Sequence, residues 1–168
     1  MRSTLLALLM ALPLCAQAAM PRADPFAPVR FLVGEWRGEG DGQPSQASGA
    51  ATFCFELEGK VLVRRNHADS APTSGKPAFH HEDLMTLFAE GGQLKALYLD
   101  NEEHVIRYLV TPVPEGVVFT SEPGPSPRFR LTYLRKTAAT VSLRFEFAPP
   151  GKPEAFTTYL EATLHKVK

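Results

Sequence analysis

The most constraining feature of this sequence is a series of short β-type segments that starts near residue 35 and continues almost to the last residue. Each segment is rich in Val, Leu, Phe, Tyr and Thr, and turn residues separate it from the next at nearly regular spacing. No helical period interrupts the series. The pattern predicts ten strands, at residues 35–40, 49–57, 60–68, 81–90, 93–100, 103–111, 116–121, 127–135, 140–147 and 155–165.

The connections between these segments indicate how the strands pair. Glu58-Gly59, Gly91-Gly92 and Asn101-Glu102 are each predicted to form a two-residue hairpin turn, which makes the flanking strands antiparallel neighbours. Consecutive antiparallel strands without a crossover helix form a meander, and closing it into a barrel removes both exposed edges. We therefore predict an all-β fold, an up-and-down antiparallel β-barrel of about ten strands, with a short helix or turn at residues 26–33 before it. A two-sheet sandwich is the alternative.

The first residues have the pattern of a secretory signal peptide. Arg2 precedes an apolar run from Leu5 to Leu14, and Ala16-Gln17-Ala18 is a small-x-small cleavage site. The apolar run is much shorter than the roughly 20 residues that span a bilayer. We expect residues 1–18 to be removed and residues 19–168 to form a single domain of an exported protein, periplasmic or secreted.

Composition narrows the classes of partner. The 18 basic and 18 acidic side chains balance, so no electrostatic argument favours nucleic acid or an anionic membrane surface. Cleavage after Ala18 leaves Cys54 as the only cysteine, which excludes an intramolecular disulfide in the mature chain. The oligomeric state is not indicated by the sequence.

A glycine-rich stretch surrounds the single tryptophan. In Phe31–Gln43, FLVGEWRGEGDGQ, four glycines lie close to Trp36. Glycine lets a strand bend and lets other groups approach closely. We predict that Trp36 packs at one end of the barrel while the glycines let the first strand bend around it.

The stretch Gly34–Gly42 resembles the GxWxGxG opening of nitrobindin-like proteins, which are haem-binding barrels of the lipocalin-related calycin group; lipocalins proper also open with Gly-x-Trp. The resemblance implies a barrel with an internal pocket. In nitrobindins a histidine near the start of the last strand binds the haem iron, and the matching position here is Tyr159. Because a tyrosinate can ligate ferric haem, the resemblance implies haem binding through Tyr159 as an alternative function.

The predicted hairpins place residues opposite one another across the middle of the chain. Met85 is predicted opposite Tyr98 and Asp83 opposite Asp100, and the next hairpin is predicted to place Val105 opposite Tyr98 and Arg107 opposite Ala96. One face is then apolar with one Tyr/Arg polar group, which is typical of a ligand pocket. The other face is also apolar, so periodicity leaves open which one is internal. The candidate ligand-binding residues are Trp36, Arg65, Met85, Tyr98, Arg107 and Tyr133, and we expect Arg65 and Arg107 to be the arginines that point inward.

These observations predict an exported lipocalin-like barrel that binds a small hydrophobic or amphipathic molecule, without catalysis. The same register gathers Asp83, Asp100 and Glu103, which is typical either of a solvated rim or of a Ca²⁺ site. His80-His81 lacks the spacing of metal ligands, so no metal site is predicted. No GxSxG or phosphate-binding loop is present. An enzyme acting on a lipid-like substrate inside the barrel remains a second alternative.

Overall fold

The computed structural model describes residues 23–40, 48–70, 72, 77–125 and 127–167, and this part of the chain contains ten β-strands. Their boundaries differ from the predicted ones by no more than two residues. The strands are β1 (Gly34–Gly40), β2 (Ser48–Glu56), β3 (Val61–Ser70), β4 (Phe79–Glu90), β5 (Gln93–Asp100), β6 (Val105–Val113), β7 (Gly116–Ser121), β8 (Arg128–Arg135), β9 (Thr140–Ala148) and β10 (Thr157–Val167).

The ten strands close into a single antiparallel barrel. Each strand pairs with the next along the chain, and β1 also pairs with β10, with Glu35 opposite Val167 and Gly40 opposite Ala162. Closure satisfies the backbone groups that an open sheet would expose at its two edges. The predicted all-β barrel is therefore confirmed, and the sandwich is not observed.

The residues before β1 form a 3₁₀ helix, Ala27–Leu32, rather than an α-helix. Pro28 stands near its N-terminus, where a missing N–H group breaks no helical hydrogen bond. Val29 and Leu32 are fully buried and join the barrel core, and the helix contacts β7. Within the described residues no helix is long and apolar enough to cross a membrane. The predicted signal peptide lies outside the described residues.

Trp36 packs next to this helix, at the end of the barrel where β1 begins. Its side chain is buried, and its Nε1–H donates a hydrogen bond to the carbonyl of Leu32 at 2.6 Å. Gly34 has a φ of +123°, and a Cβ there would lie 2.9 Å from Cε of Lys166. A larger residue at position 34 would therefore be strained and crowded. Trp36 thus packs at one end of the barrel, as expected from the sequence. We call the end of the barrel that contains Trp36 and the 3₁₀ helix the closed end.

Side-chain alternation shows which face of the barrel wall is internal. Along β4, Asp83, Met85 and Leu87 are buried, whereas the intervening side chains are partly exposed. The β4–β5 hairpin has the predicted register, with Met85 opposite Tyr98 and Asp83 opposite Asp100. Its turn residues Gly91 and Gly92 both have positive φ, as a two-residue turn requires. The face that contains Met85 is thus the inner one on β4 and β5.

The predicted β5–β6 register is wrong by one residue. Tyr98 lies opposite Ile106, not Val105, and Ala96 lies opposite Tyr108, not Arg107. The reason is the turn: the N–H of Asp100 bonds the carbonyl of His104, so three residues connect the strands, and Glu103 adopts a positive φ of 70°. Because side chains alternate along a strand, a one-residue shift moves every β6 side chain to the opposite face.

Candidate functional site

A layer of aromatic side chains crosses the middle of the barrel. Phe53 on β2 contacts Tyr133 on β8, with ring centroids 5.9 Å apart, although these strands do not pair. Edge-to-face contacts continue from Tyr133 to Phe119 and from Phe119 to Tyr108. All four residues are buried. We call this layer the aromatic floor, because it separates the packed closed end from the other end of the barrel, the mouth.

Polar side chains cover one inner wall above the aromatic floor. The register of β2 to β5 places them on the inner face, and we call them the polar wall: Arg64, Asn66, His81, Asp83, Tyr98 and Asp100. At its centre, Oδ2 of Asp83 accepts hydrogen bonds from Nη2 of Arg64 at 3.2 Å and from Nδ2 of Asn66 at 2.8 Å. Burial lowers the pKa of Arg64, but its interactions with Tyr133 and Asp83 outweigh burial, so the net shift is upward and Arg64 stays charged.

His81 links the polar wall to the β5–β6 turn. Its Nε2 lies 3.3 Å from Oδ2 of Asp83 and its Nδ1 lies 2.8 Å from Oε1 of Glu102. Ionised carboxylates only accept hydrogen bonds, so both ring nitrogens donate when His81 is protonated. The hydrogen bond with Asp83 is the main reason that the pKa of His81 is raised, since burial opposes it. Nε2 also lies 3.3 Å from the Tyr98 hydroxyl.

The raised pKa of His81 predicts that folding stability depends on pH. A group with a raised folded pKa stabilises the protein fully below its unfolded pKa of about 6.5, and this contribution is lost as pH rises through the folded pKa. We therefore expect the free energy of unfolding to fall above pH of about 6.5, and the fall to be smaller in His81→Gln. Urea titrations across pH measure this. His67→Gln, on the exposed outer face, is the control, and equal slopes in His81→Gln and wild type would contradict the assignment.

Asp100 organises the turn beside His81. Its Oδ1 accepts hydrogen bonds from the backbone N–H groups of Glu102 and His104, and its Oδ2 lies 2.8 Å from Nδ1 of His104 and accepts from the Tyr98 hydroxyl at 3.1 Å. Burial would raise the pKa of Asp100, but these hydrogen bonds, those from His104 first, lower it overall. The predicted pairing of Asp83 with Asp100 is present, but Glu102 rather than Glu103 completes the group.

Three of these residues have the geometry of metal ligands. One ligand atom each from His81, Asp100 and Glu102 lie within 4.8 Å of one another. Each of the three already has a hydrogen-bond partner, which is His104, Tyr98, Asp83 or another member of the group. The three therefore also complete a hydrogen-bonded network without an ion.

The opposite inner wall is apolar and only partly buried. It is formed by the mouth ends of β8, β9 and β10, and we call it the apolar wall: Phe129, Leu143, Phe145, Phe147 and Leu160. Phe129 stacks on Phe145 with centroids 5.9 Å apart. On β9 the usual burial pattern is inverted near the mouth, because inward-facing Phe147 is 37% exposed whereas outward-facing Glu146 is 6% exposed. Glu146 is covered through its two hydrogen bonds with Arg130, which also lies over the ring of Phe156.

The sequence-based candidates fall in three different places. Met85, Tyr98 and Tyr133 lie on the inner face, and Trp36 lies in the closed end. The expectation that Arg65 and Arg107 point inward is wrong. Arg65 is on the outer face, near Glu56 at 3.9 Å, and its neighbour Arg64 is internal instead. Arg107 is exposed because of the β5–β6 register.

Tyr159 lies at the mouth rather than inside the barrel. The β9–β10 pairing shifts between Thr158 and Leu160, so Tyr159 occupies a bulge, and it is 74% exposed. Its ring contacts Phe145 and Phe147 of the apolar wall, at 6.0 and 6.5 Å between centroids. A β-bulge changes the direction of a side chain and is common near functional sites. The bulge therefore explains how Tyr159, which is not paired in the ladder, contacts aromatic rings of the inner face.

Comparison of the sequence with protein-family models and with curated proteins finds no match.

Proposed function

We propose that this protein is an exported lipocalin-like barrel that binds a small amphipathic molecule between the polar wall and the apolar wall. The supporting observation is the inverted burial at the mouth end of β9, where inward-facing Phe147 is exposed whereas its outward-facing neighbours Glu146 and Ala148 are buried. Apolar side chains that face inward and remain accessible suit the lining of a ligand site. The polar wall opposite them supplies placed hydrogen-bonding groups. The Gly-x-Trp opening, shared with lipocalins, agrees with this role.

The proposal is tested with Nile red, an uncharged apolar dye, and two tryptophan variants of adjacent residues on β10. Ala162 lies on the inner face opposite Leu143, whereas Thr163 is exposed on the outer face. Ala162→Trp fills the space between the walls and is expected to weaken dye binding by at least about tenfold, a loss of about 1.4 kcal/mol. Thr163→Trp is expected to leave it unchanged.

The two variants also separate an internal site from an outer one. Thr163, Arg144 and Glu161 line a groove on the outer face of the barrel, and Ala162 also borders this groove although its position in the ladder is on the inner face. If Thr163→Trp weakens dye binding and Ala162→Trp does not, the dye occupies that groove and the proposal is wrong. Failure of the wild-type protein to bind the dye at all would also contradict it.

Haem binding is a second candidate, favoured by the position of Tyr159. Its ring lies against Phe145 and Phe147 at the mouth, where a flat apolar cofactor would meet aromatic side chains and a phenol oxygen together. Addition of hemin should then shift the Soret band, and Tyr159→Phe should abolish the shift. An identical shift in both proteins would exclude Tyr159 as the ligand.

A further inference from the structure

Arg64 is a buried arginine that lacks acceptors. Its side chain is 7% exposed and interacts electrostatically with Tyr133 and Tyr108 of the aromatic floor. A guanidinium has five N–H donors, yet the described residues supply one acceptor, Oδ2 of Asp83. The Nε atom is buried without any hydrogen-bond partner. Because buried charged groups are normally hydrogen-bonded throughout, this geometry indicates an acceptor that is supplied by another molecule.

Asp83 does not meet this need. Its Oδ2 is shared among Arg64, Asn66 and His81, and its Oδ1 is buried without a partner. Arg64 therefore does not form the two parallel hydrogen bonds of a bidentate arginine–carboxylate pair. The rest of the guanidinium remains available to a second group with acceptor oxygens.

Two phenols add donors close to Arg64. Tyr108 and Tyr133 are both buried. Burial raises the pKa of Tyr133 to about 12 and raises that of Tyr108 as well, so both hydroxyls remain protonated and can donate at neutral pH. Tyr98 differs, because its hydroxyl already donates to Asp100. Arg64, Tyr108 and Tyr133 therefore bring one charged donor group and two phenol donors to the same part of the inner face.

We propose that Arg64, Tyr108 and Tyr133 form a subsite for the carboxylate of a monocarboxylic acid. The apolar part of that acid lies against Phe129 and Phe145 of the apolar wall. This inference rests on the proposed function and specifies the ligand class. A carboxylate offers two acceptor oxygens in one plane, which match two N–H groups of a guanidinium. It also brings a single negative charge, whereas a phosphate dianion would place a second charge near Asp83.

The test compares three ligands that share one alkyl chain and differ in the head group: dodecanoate, methyl dodecanoate and dodecanol. Each displaces Nile red from the full-length protein, from Arg64→Met and from Tyr133→Phe. Hydrogen bonds to charged groups predict that wild type binds dodecanoate about tenfold to a hundredfold more tightly than the ester or the alcohol. Arg64→Met should remove this preference, so that this variant binds dodecanoate and dodecanol with affinities within about twofold of one another.

The Tyr133→Phe variant keeps the test decisive if Arg64→Met does not fold. It removes one hydroxyl and keeps the ring contacts with Phe53 and Phe119, so it should weaken dodecanoate by about fivefold and reduce the preference for dodecanoate over dodecanol. Equal affinities of wild type for dodecanoate, ester and alcohol would overturn the carboxylate subsite while the proposed function stands. Failure of all three to displace the dye, together with no binding of the dye itself, would instead overturn the proposed function.

Discussion

Replacing Trp36 with alanine is expected to lower the free energy of unfolding by about 3–5 kcal/mol, the usual cost of truncating a large aromatic residue in a core. Trp36 is 1% exposed, so truncating it leaves a cavity in a close-packed interior. The substitution also removes the donor to the carbonyl of Leu32, which ties the 3₁₀ helix to the barrel. Urea unfolding followed by far-UV circular dichroism measures the change, since the only tryptophan fluorophore is lost.

Trp36→Phe separates packing from hydrogen bonding. Phenylalanine keeps most of the apolar volume but leaves the Leu32 carbonyl without its donor, so the expected loss is about 1–3 kcal/mol. A loss below about 1 kcal/mol in Trp36→Ala would contradict a structural role. If that variant also failed to bind Nile red, Trp36 would belong to the ligand site instead, as its inclusion among the sequence-based candidates implies.

The barrel could be predicted from the sequence because the features that indicate it lie within short stretches of the chain. Apolar segments of strand length, each bounded by turn residues, occur ten times without a helix that could carry a parallel crossover. The Gly91-Gly92 turn determines the register of the β4–β5 hairpin. Two residues that both tolerate positive φ form a two-residue turn, which allows a single pairing of the flanking strands. Which face of β4 and β5 is internal stayed open in the sequence, because both faces are apolar, and the burial of Asp83, Met85 and Leu87 decides it.

The β5–β6 register could not be predicted in this way. Asn101-Glu102 has the composition of a two-residue turn, but Asp100 accepts two backbone N–H groups of the turn and stabilises a three-residue connection. Glu103 then takes the positive φ that glycine usually provides. The Asp100 side chain thus decides whether Arg107 or Tyr108 faces the interior. It stabilises the three-residue turn, and the turn sets the register of the whole β6 strand.

The choice between Arg64 and Arg65 shows a different limit. The two residues are adjacent on β3, and both alternating sets are mixed: Val61, Val63 and Arg65 on one side, Leu62, Arg64 and Asn66 on the other. Periodicity gives no preference between such sets. Pairing with β2 decides it, because Arg64 lies opposite Phe53, which reaches across the barrel to Tyr133. The polar wall can therefore be identified only from the registers of several strands taken together.

Replacing Asp83 with alanine is expected to lower the free energy of unfolding by about 3–5 kcal/mol, because it leaves the buried Arg64 charge without a counter-ion. The Asp83 side chain is 2% exposed and is the shared acceptor of three donors. Removing Arg64 instead leaves Asp83 with its bonds from Asn66 and His81. We therefore expect Arg64→Met to cost less than Asp83→Ala, about 1–3 kcal/mol.

A double-mutant cycle isolates the pair from its surroundings. In Arg64→Met/Asp83→Ala neither charge remains, and burying apolar groups in place of an ion pair is often close to neutral. The double variant should thus be less destabilised than the sum of the two single variants by about 1–3 kcal/mol. Because Asp83 is the main cause of the raised pKa of His81, urea unfolding of all four proteins is compared at one pH well below about 6.5, where His81 is protonated in the folded and unfolded states. Additive losses would mean that Arg64 and Asp83 are not coupled, and Arg64 would then have to hold its charge in the barrel through a different acceptor.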